Sequence, residues 1–273
     1  MEQQSSTAQA GTCFDMKIAT WNVNSLRVRL HQLLDWLDAN RPDVMCLQEL
    51  KLEDKAFPEA EIRAAGYEVA FSGQKTYNGV AILATSKLEE VICGIPGFID
   101  EQKRLIAATV AGVRIVCGYF PNGQEPDSDK FAYKLAWLDA LTRWLKEQAL
   151  PIHPNLVLAG DFNIAPEAAD VHPKWQGKIL VSPPERAAFQ ALIECGLSDA
   201  FRLFEQPEHS YSWWDYRMGA LQRNAGLRID HILVSQPLRK SCRACTVDKK
   251  PRTLERPSDH APVLLELDRP NSL

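Results

Sequence analysis

An α/β domain with two sheets inside and helices outside is the fold this sequence predicts. Three observations carry it. Segments with helical apolar spacing alternate with short, strand-like apolar runs. Key runs end on Asn, Asp or Glu. The two halves of the chain echo each other in pairing helices with strands. Loops are then expected to gather at one edge, where such folds build their sites. No low-complexity block or linker divides the 273 residues, a length that one sandwich domain can reach. The expected layout is a disordered tail over 1–15, one domain over 16–268 and a short C-terminal tail over 269–273.

The elements follow in order. Met16 to Val23 alternates as a strand and ends on Trp21-Asn22-Val23-Asn24. An amphipathic helix follows, with Leu26, Leu30, Leu33, Leu34 and Leu37 on one stripe. Asn24 or Ser25 is placed to cap it, and Arg41-Pro42 stops it. Asp43 to Gln48 is a second buried strand, ending on Gln48-Glu49-Leu50-Lys51. A charged segment with Phe57-Pro58 carries a short helix. Strands follow at Tyr67–Ser72, Gly79–Thr85, Leu88–Cys93, Leu105–Val110 and Val113–Tyr119, spaced like antiparallel neighbours. Phe120-Pro121-Asn122-Gly123 breaks the pattern. Asp127 to Gln148 is a long helix with Phe131, Leu135, Leu138, Leu141 and Leu145 on its stripe. Leu156 to Ala159 is a buried strand that stops at Gly160. Ile164 to Val181 is a long irregular loop, a candidate functional segment. Ser182-Pro183-Pro184-Glu185 is a capping box that opens a helix through Phe189, Leu192 and Ile193. Leu227–Ser235, Ser241–Val247 and Pro262–Leu267 close the chain as strands.

Composition narrows the class. Hydrophobic residues at 45% and charged residues at 24% are ordinary for a soluble globular protein. No apolar run approaches a membrane span. Met1 to Asp15 is polar and lacks the apolar core of a signal peptide; it reads as a tail, an expression remnant or an upstream start. Seven scattered cysteines without an export signal read as reduced thiols in the cytoplasm. Cys242-x-x-Cys245 lacks a second pair and, on a strand, points its thiols to opposite faces. Net charge is −4, yet Arg217 to Arg256 holds ten basic residues against three acidic ones. That local excess fits either a phosphate-tracking surface or a solvated face.

The chemistry lies at the strand ends. In an extended segment, residues two apart share a face, so Asp161 and Asn163 can aim at one point. A carboxylate beside a carboxamide can deprotonate and hold a water; a simple turn is the commoner use of Asp-x-Asn. Asn22 and Asn24, Glu49, Tyr119 and Asn122, Asp230 and His231, Asp259 and His260 end the other strands. Carboxylates with carboxamides suit a hard divalent cation, foremost Mg²⁺ with Mn²⁺ as substitute. Glu49 is the first candidate ligand, Asp259 the second, and Asn24 a neutral helper. His260 is either a general base or a cation beside a phosphate oxygen, with Asp230 orienting its ring.

Together these stretches resemble the exonuclease III and AP-endonuclease family of the endonuclease/exonuclease/phosphatase superfamily, bacterial type. The resemblance runs from Lys17 to about Leu267. It rests on Ile-Ala-Thr-Trp-Asn-Val-Asn-Ser at 18–25, Leu-Gln-Glu-Leu-Lys at 47–51 and Gly-Tyr-Phe-Pro-Asn-Gly at 118–123. Gly-Asp-Phe-Asn-Ile-Ala at 160–165, Tyr-Ser-Trp-Trp-Asp-Tyr-Arg at 211–217, Gly-Leu-Arg-Ile-Asp-His at 226–231 and Ser-Asp-His at 258–260 complete it. It implies a four-layer α/β sandwich of two mixed, mainly antiparallel sheets flanked by helices. It also implies Mg²⁺-dependent cleavage of double-stranded DNA at 3′ ends, nicks or abasic sites, leaving 3′-hydroxyl and 5′-phosphate. By position, Glu49 matches the metal ligand, and Asn22 a residue that helps bind metal and phosphate. Asp161 and Asn163 match the water-activating pair, and Tyr119 a phosphate contact. Asp230 and His260 match an Asp–His pair, with Asp259 beside them. Asn24 stands where some members carry Asp.

Substrate choice is expected in the loops. Trp213, Trp214, Tyr216 and Leu227 match a small apolar pocket for a baseless sugar, with Asn122, Lys51 and Arg217 at the substrate. His172, in Asp170-Val171-His172-Pro173-Lys174-Trp175, is expected to narrow that pocket and favour 3′-terminal work. A cytoplasmic monomer is expected. Phosphoinositide or sphingomyelin phosphodiester cleavage is the rival chemistry. A non-catalytic DNA-binding relative is the rival class.

Overall fold

A computed structural model describes residues 16–177 and 180–268; the tails expected over 1–15 and 269–273 lie outside them. Twelve strands form two six-stranded sheets. The first is ordered β11-β12-β1-β2-β4-β3, from Cys242–Val247, Val263–Leu267, Met16–Asn22, Val44–Gln48, Val80–Ala84 and Glu68–Ser72. The second is ordered β5-β6-β7-β8-β10-β9, from Glu89–Cys93, Leu105–Val110, Val113–Tyr119, Leu156–Asp161, Asp230–Ser235 and Leu197–Asp199. Each sheet has one parallel pair, β1 with β2 and β7 with β8, among antiparallel neighbours. This is the echo between halves that the sequence shows.

Strand periodicity builds the layers. Met16, Ile18, Val44, Cys46, Ile115, Cys117, Val157, Ala159, Ile232 and Val234 face the gap between the sheets and form one apolar core. The alternate residues face outward. Trp21, Met45 and Leu47 pack under α1 (Leu26–Asn40) and α2 (Glu59–Ala64). Val116, Leu158 and Leu233 pack under α3 (Asp129–Trp144) and α5 (Pro183–Glu194). α3 runs on through a π-turn, Leu145–Ala149, into a single turn, α4 (Leu150–Ile152). α6 (Gln236–Arg239) links β10 to β11. The result is helix, sheet, sheet, helix. Among the described residues no helix is long and apolar enough to cross a membrane.

Several local expectations change. The strands from Tyr67 to Tyr119 are not one antiparallel run, because β4 and β5 belong to different sheets. Ser25 sits at the start of α1, but neither Asn24 nor Ser25 caps it by its side chain. Ser25 and Leu26 instead donate their amides to the carbonyls of Glu49 and Leu50. α3 starts at Asp129 and is capped by Ser128, whose hydroxyl accepts from the Phe131 amide. The strand expected over Leu227–Ser235 begins at Asp230. The three-residue strand β9 has no sequence signal of its own. A bulge between Cys242 and Ala244 shifts the register of β11, so Cys242 and Cys245 both face the central core. The capping box holds: Glu185 Oε2 accepts from the Ser182 amide at 2.9 Å and hydroxyl at 2.6 Å.

Candidate active site

Parity also places the chemistry. Asn22 continues the inward face of Ile18 and Thr20. Asp161 continues that of Val157 and Ala159, and Asp230 that of Val234 and Ile232. These polar residues meet in the gap between the sheets, where the apolar core ends. Asp230 pairs directly with Asp161 across β10 and β8. Gly160 lets the neighbouring strands β7 and β8 lie close here: a Cβ on it would lie 1.9 Å from the Gly118 carbonyl oxygen. His231, one residue out of phase, faces the back against Phe162 and Phe189.

Asn22 Nδ2 donates to Glu49 Oε1 at 2.8 Å and to Asp161 Oδ2 at 2.9 Å. Its Oδ1 accepts from the Asn24 amide at 2.9 Å. Asn22 is therefore a donor that orients two carboxylates. Asn163 donates its amide to Asp161 Oδ1 at 2.9 Å and its Nδ2 to Oδ2 at 3.3 Å. Its Oδ1 accepts from Asn122 Nδ2 at 3.1 Å. His260 Nδ1 lies 2.9 and 3.0 Å from the Asp230 oxygens, and its Nε2 lies 3.8 Å from Asp161 Oδ2. Ser212 fixes Asp230: its hydroxyl donates to Oδ2 at 2.6 Å and accepts from the amides of Ile229 and Asp230. Asn24, Ser25, Glu49, Lys51 and Asn163 all hold positive φ between 43° and 87°. Non-glycine strain of this kind concentrates where side chains must be aimed.

Charge follows from burial. Burial pushes the Asp161 carboxyl up to about 7; the nearby His260 charge and the Asn22 bond hold it down in part, while Asp230 and Glu49 add to the rise. Burial alone would lower His260, but the charges of Asp230 and Asp161 outweigh it and raise the ring to about 10. His260 is thus a cation near neutral pH, which favours the cation reading over the general base. Burial and the Glu49 and Asp161 charges push the Tyr119 phenol well up, so it stays a neutral donor. Asp259 would be raised by burial, yet the His260 charge and bonds from Trp213 and Asn24 keep it low.

Glu49, Asp161 and His260 place ligand atoms within 4.8 Å of one another. With His260 protonated, the carboxylate oxygens of Glu49 and Asp161 form a hard donor set that fits one divalent cation. The expected second ligand, Asp259, is engaged elsewhere: its oxygens accept from Trp213 Nε1 at 2.9 Å and Asn24 Nδ2 at 2.8 Å. Asn24 is likewise a donor, and its Oδ1 accepts from Lys51 at 2.5 Å. Lys51 also pairs with Glu49 at 2.7 Å.

A cavity of about 200 Å³ opens above Asp161, and Trp213, Leu227, Trp175, Leu180 and Ile229 wall it. Trp213 and Leu227 are where the sequence places them, paired as an antiparallel bridge. Trp214 is not: it is fully buried behind, with its indole donating to Asn224. Tyr216 is half exposed and bonds to Asn24, Arg29 and the Pro257 carbonyl. Arg217 points to solvent beside Asp215. His172 does not reach the cavity; its Nδ1 accepts from the Lys174 amide and its ring lies against Tyr211. From that loop Trp175 forms the wall instead, edge-on to Trp213 at 5.3 Å. Leu180 carries no motif that could have flagged it. Ile229 and Ser212 lie inside the motifs at 226–231 and 211–217, but only the fold shows what they line and hold.

The sequence and the fold match a known group of proteins. The family model of the endonuclease/exonuclease/phosphatase family matches residues 19–260. The chain belongs to the endonuclease/exonuclease/phosphatase family. Within it, the chain is 38% identical to exodeoxyribonuclease III of Haemophilus influenzae, over 92% of this chain and 99% of that one. Solved structures agree. The 3′ phosphatase NExo from Neisseria, bound to a product DNA hairpin, superposes with a TM-score of 0.91 at 49% identity, covering 93% of this chain and all of that one. An AP endonuclease from Archaeoglobus fulgidus gives 0.89 at 41% identity, with the same coverage. The two six-stranded sheets with outer helices are the sandwich of these family members.

Proposed function

We propose that this chain is a Mg²⁺-dependent DNA repair nuclease that hydrolyses phosphodiesters at 3′ ends, nicks and abasic sites of double-stranded DNA. One observation carries the reading. Asp161 lies buried at the cavity floor, bonded by Asn22 and Asn163, with Glu49 across Asn22 and the His260 cation beside it. That set is built to deprotonate a water and accept an anionic phosphate. The relatives named for exonuclease, 3′ phosphatase and AP endonuclease work support DNA over the lipid phosphodiester chemistry and over a catalytically dead binder.

In this reading Glu49 and Asp161 hold the cation. Bound there, it would supply Lewis-acid charge to the scissile phosphate and the leaving group. Asp161 takes the proton of the attacking water, and Asn163 fixes the carboxylate's angle. His260, held by Asp230, and the Tyr119 hydroxyl offset charge on the phosphoryl oxygens. The apolar wall of Trp213, Trp175 and Leu227 accepts a sugar. Products carry 3′-hydroxyl and 5′-phosphate. The protein acts as a cytoplasmic monomer, and Mn²⁺ substitutes for Mg²⁺.

Labelled duplexes with a blunt end, a nick, a 3′-phosphate or an abasic site test this with Mg²⁺, with Mn²⁺ and with chelator. Cleavage that survives chelation, or hydrolysis confined to phosphoinositide or sphingomyelin controls, would sink it.

A further inference from the structure

The most deeply buried cation on the helical side of the site has no place in the chemistry above. Lys134, in the second turn of α3, is fully buried. Lysine ordinarily carries its charge to water, and an apolar residue would fill such space at less cost. Its ammonium has three donors, and all three are used. They go to the Asn122 carbonyl at 3.2 Å, the Asn163 carbonyl at 2.7 Å and Glu185 Oε1 at 2.5 Å. The other Glu185 oxygen caps α5 through Ser182. Nothing on the lysine is left to touch a substrate.

The two carbonyls belong to the loops that leave β7 and β8, neighbouring strands of one sheet. On their cavity side the same two residues clasp each other, Asn122 Nδ2 to Asn163 Oδ1. Asn163 then grips both oxygens of Asp161. Asn163 holds this pose at φ 50°, and next to Asn122 the chain turns at Gly123, φ 81°. A Cβ on Gly123 would lie 2.7 Å from Lys134 Cδ. Backbone strain on one side is therefore matched by an ammonium clamp directly beneath it. We infer that Lys134, anchored by Glu185, is a positioning residue that locks the Asn122 and Asn163 loops together and so sets the angle of the Asp161 carboxylate. The inference rests on the nuclease reading above.

The full chain is used in the test. Lys134→Met/Glu185→Gln removes both charges at once and leaves neither buried alone. Lys134→Arg keeps the charge but has no room for its fork beside Gly123. Each is followed by thermal melting, by kcat and KM on a Mg²⁺-supported 3′-end substrate, and by amide hydrogen exchange over residues 120–124 and 161–165. A purely structural pair would change melting alone. The expected result is a folded protein with KM unchanged, kcat lower by about tenfold to a hundredfold, and faster exchange in both segments. A folded variant with wild-type kcat overturns the inference. If the double variant does not fold, Lys134→Arg decides by the same criteria. If the unmodified protein shows no metal-supported cleavage, the nuclease reading falls, and the exchange result alone decides: unchanged exchange in the folded variants overturns the clamp.

Discussion

Replacing Asp230 with Asn should move the alkaline limit of activity by more than any other single change at the site. Asp230 takes both short contacts from His260 Nδ1 and is the first of the charges that raise the ring. The rise from 6.5 to about 10 is worth about 5 kcal/mol of preference for the protonated ring. The raised value means that this stabilisation is complete below 6.5 and is lost as pH climbs through about 10. Asn keeps the shape and removes the charge, while burial still disfavours the cation. The ring should then titrate well below its value in the unmodified chain, held up only by Asp161 and Asp259, and the window of active imidazolium should narrow toward neutrality. Two measurements check this. One is the pH dependence of kcat/KM with Mg²⁺, in which the alkaline limb should move down by about two pH units or more. The other is the ring's own NMR titration in the metal-free protein. A variant whose His260 still titrates as high as in the unmodified chain would refute the assignment of its charge to Asp230.

Asp161→Asn should lower kcat by about a thousandfold, within the range of a lost general base, with DNA binding retained in a gel-shift titration. The same variant should be the more stable protein in chelator. A carboxyl raised from 3.8 to about 7 loses up to about 4 kcal/mol as pH rises through that interval, so the gain should appear by denaturation at about pH 8 and vanish at about pH 4. Gly160→Ala should lose about 3 kcal/mol or more, because its Cβ meets the Gly118 backbone at 1.9 Å; a melt within a few degrees of wild type would contradict the packing described. Trp175→Ala should widen the cavity and change the ratio of abasic-site incision to 3′-terminal cleavage, whereas His172→Gly should leave that ratio unchanged.

Much of the site was legible because strand parity is legible. Asn22, Asp161 and Asp230 sit in phase with apolar residues that must face the gap between sheets, and residues in phase arrive together. The same rule sorts His231 away from Asp230, although the two are adjacent in sequence. What escaped reading has a common cause: it depends on atoms rather than phase. Asn22 and Asn24 are oxygen-bearing side chains in any sequence, and only the fold shows their amide nitrogens turned toward carboxylates. Trp214 and Trp213 are adjacent indoles, and the bridge to Leu227 decides which one meets the cavity. A one-residue bulge in β11 reverses the face of a cysteine, and no local pattern marks it. The division of strands between sheets was also hidden, since β4 and β5 look like hairpin partners and are separated by a crossing.

The charges in the site carry one more step. Glu49, Asp161, Asp230 and Asp259 crowd one site, where Lys51 pairs with Glu49 and His260 with Asp230 and Asp161. The carboxylates outnumber the cations paired with them, a deficit that a bound divalent ion would offset. Without the ion, the proton that Asp161 retains up to about 7 makes good part of that deficit. Metal and proton therefore compete for the same carboxylate oxygens. Calorimetric titration of Mg²⁺ in two buffers of different ionisation enthalpy measures the exchange directly. Close to one proton should leave per ion bound at about pH 6, and almost none at about pH 8.5, where Asp161 is already ionised. Asp161→Asn should release none at either pH. Release that stays constant across this range, or that persists in the variant, would mean that the proton resides elsewhere and that Asp161 is not the carboxylate shared between water activation and the cation.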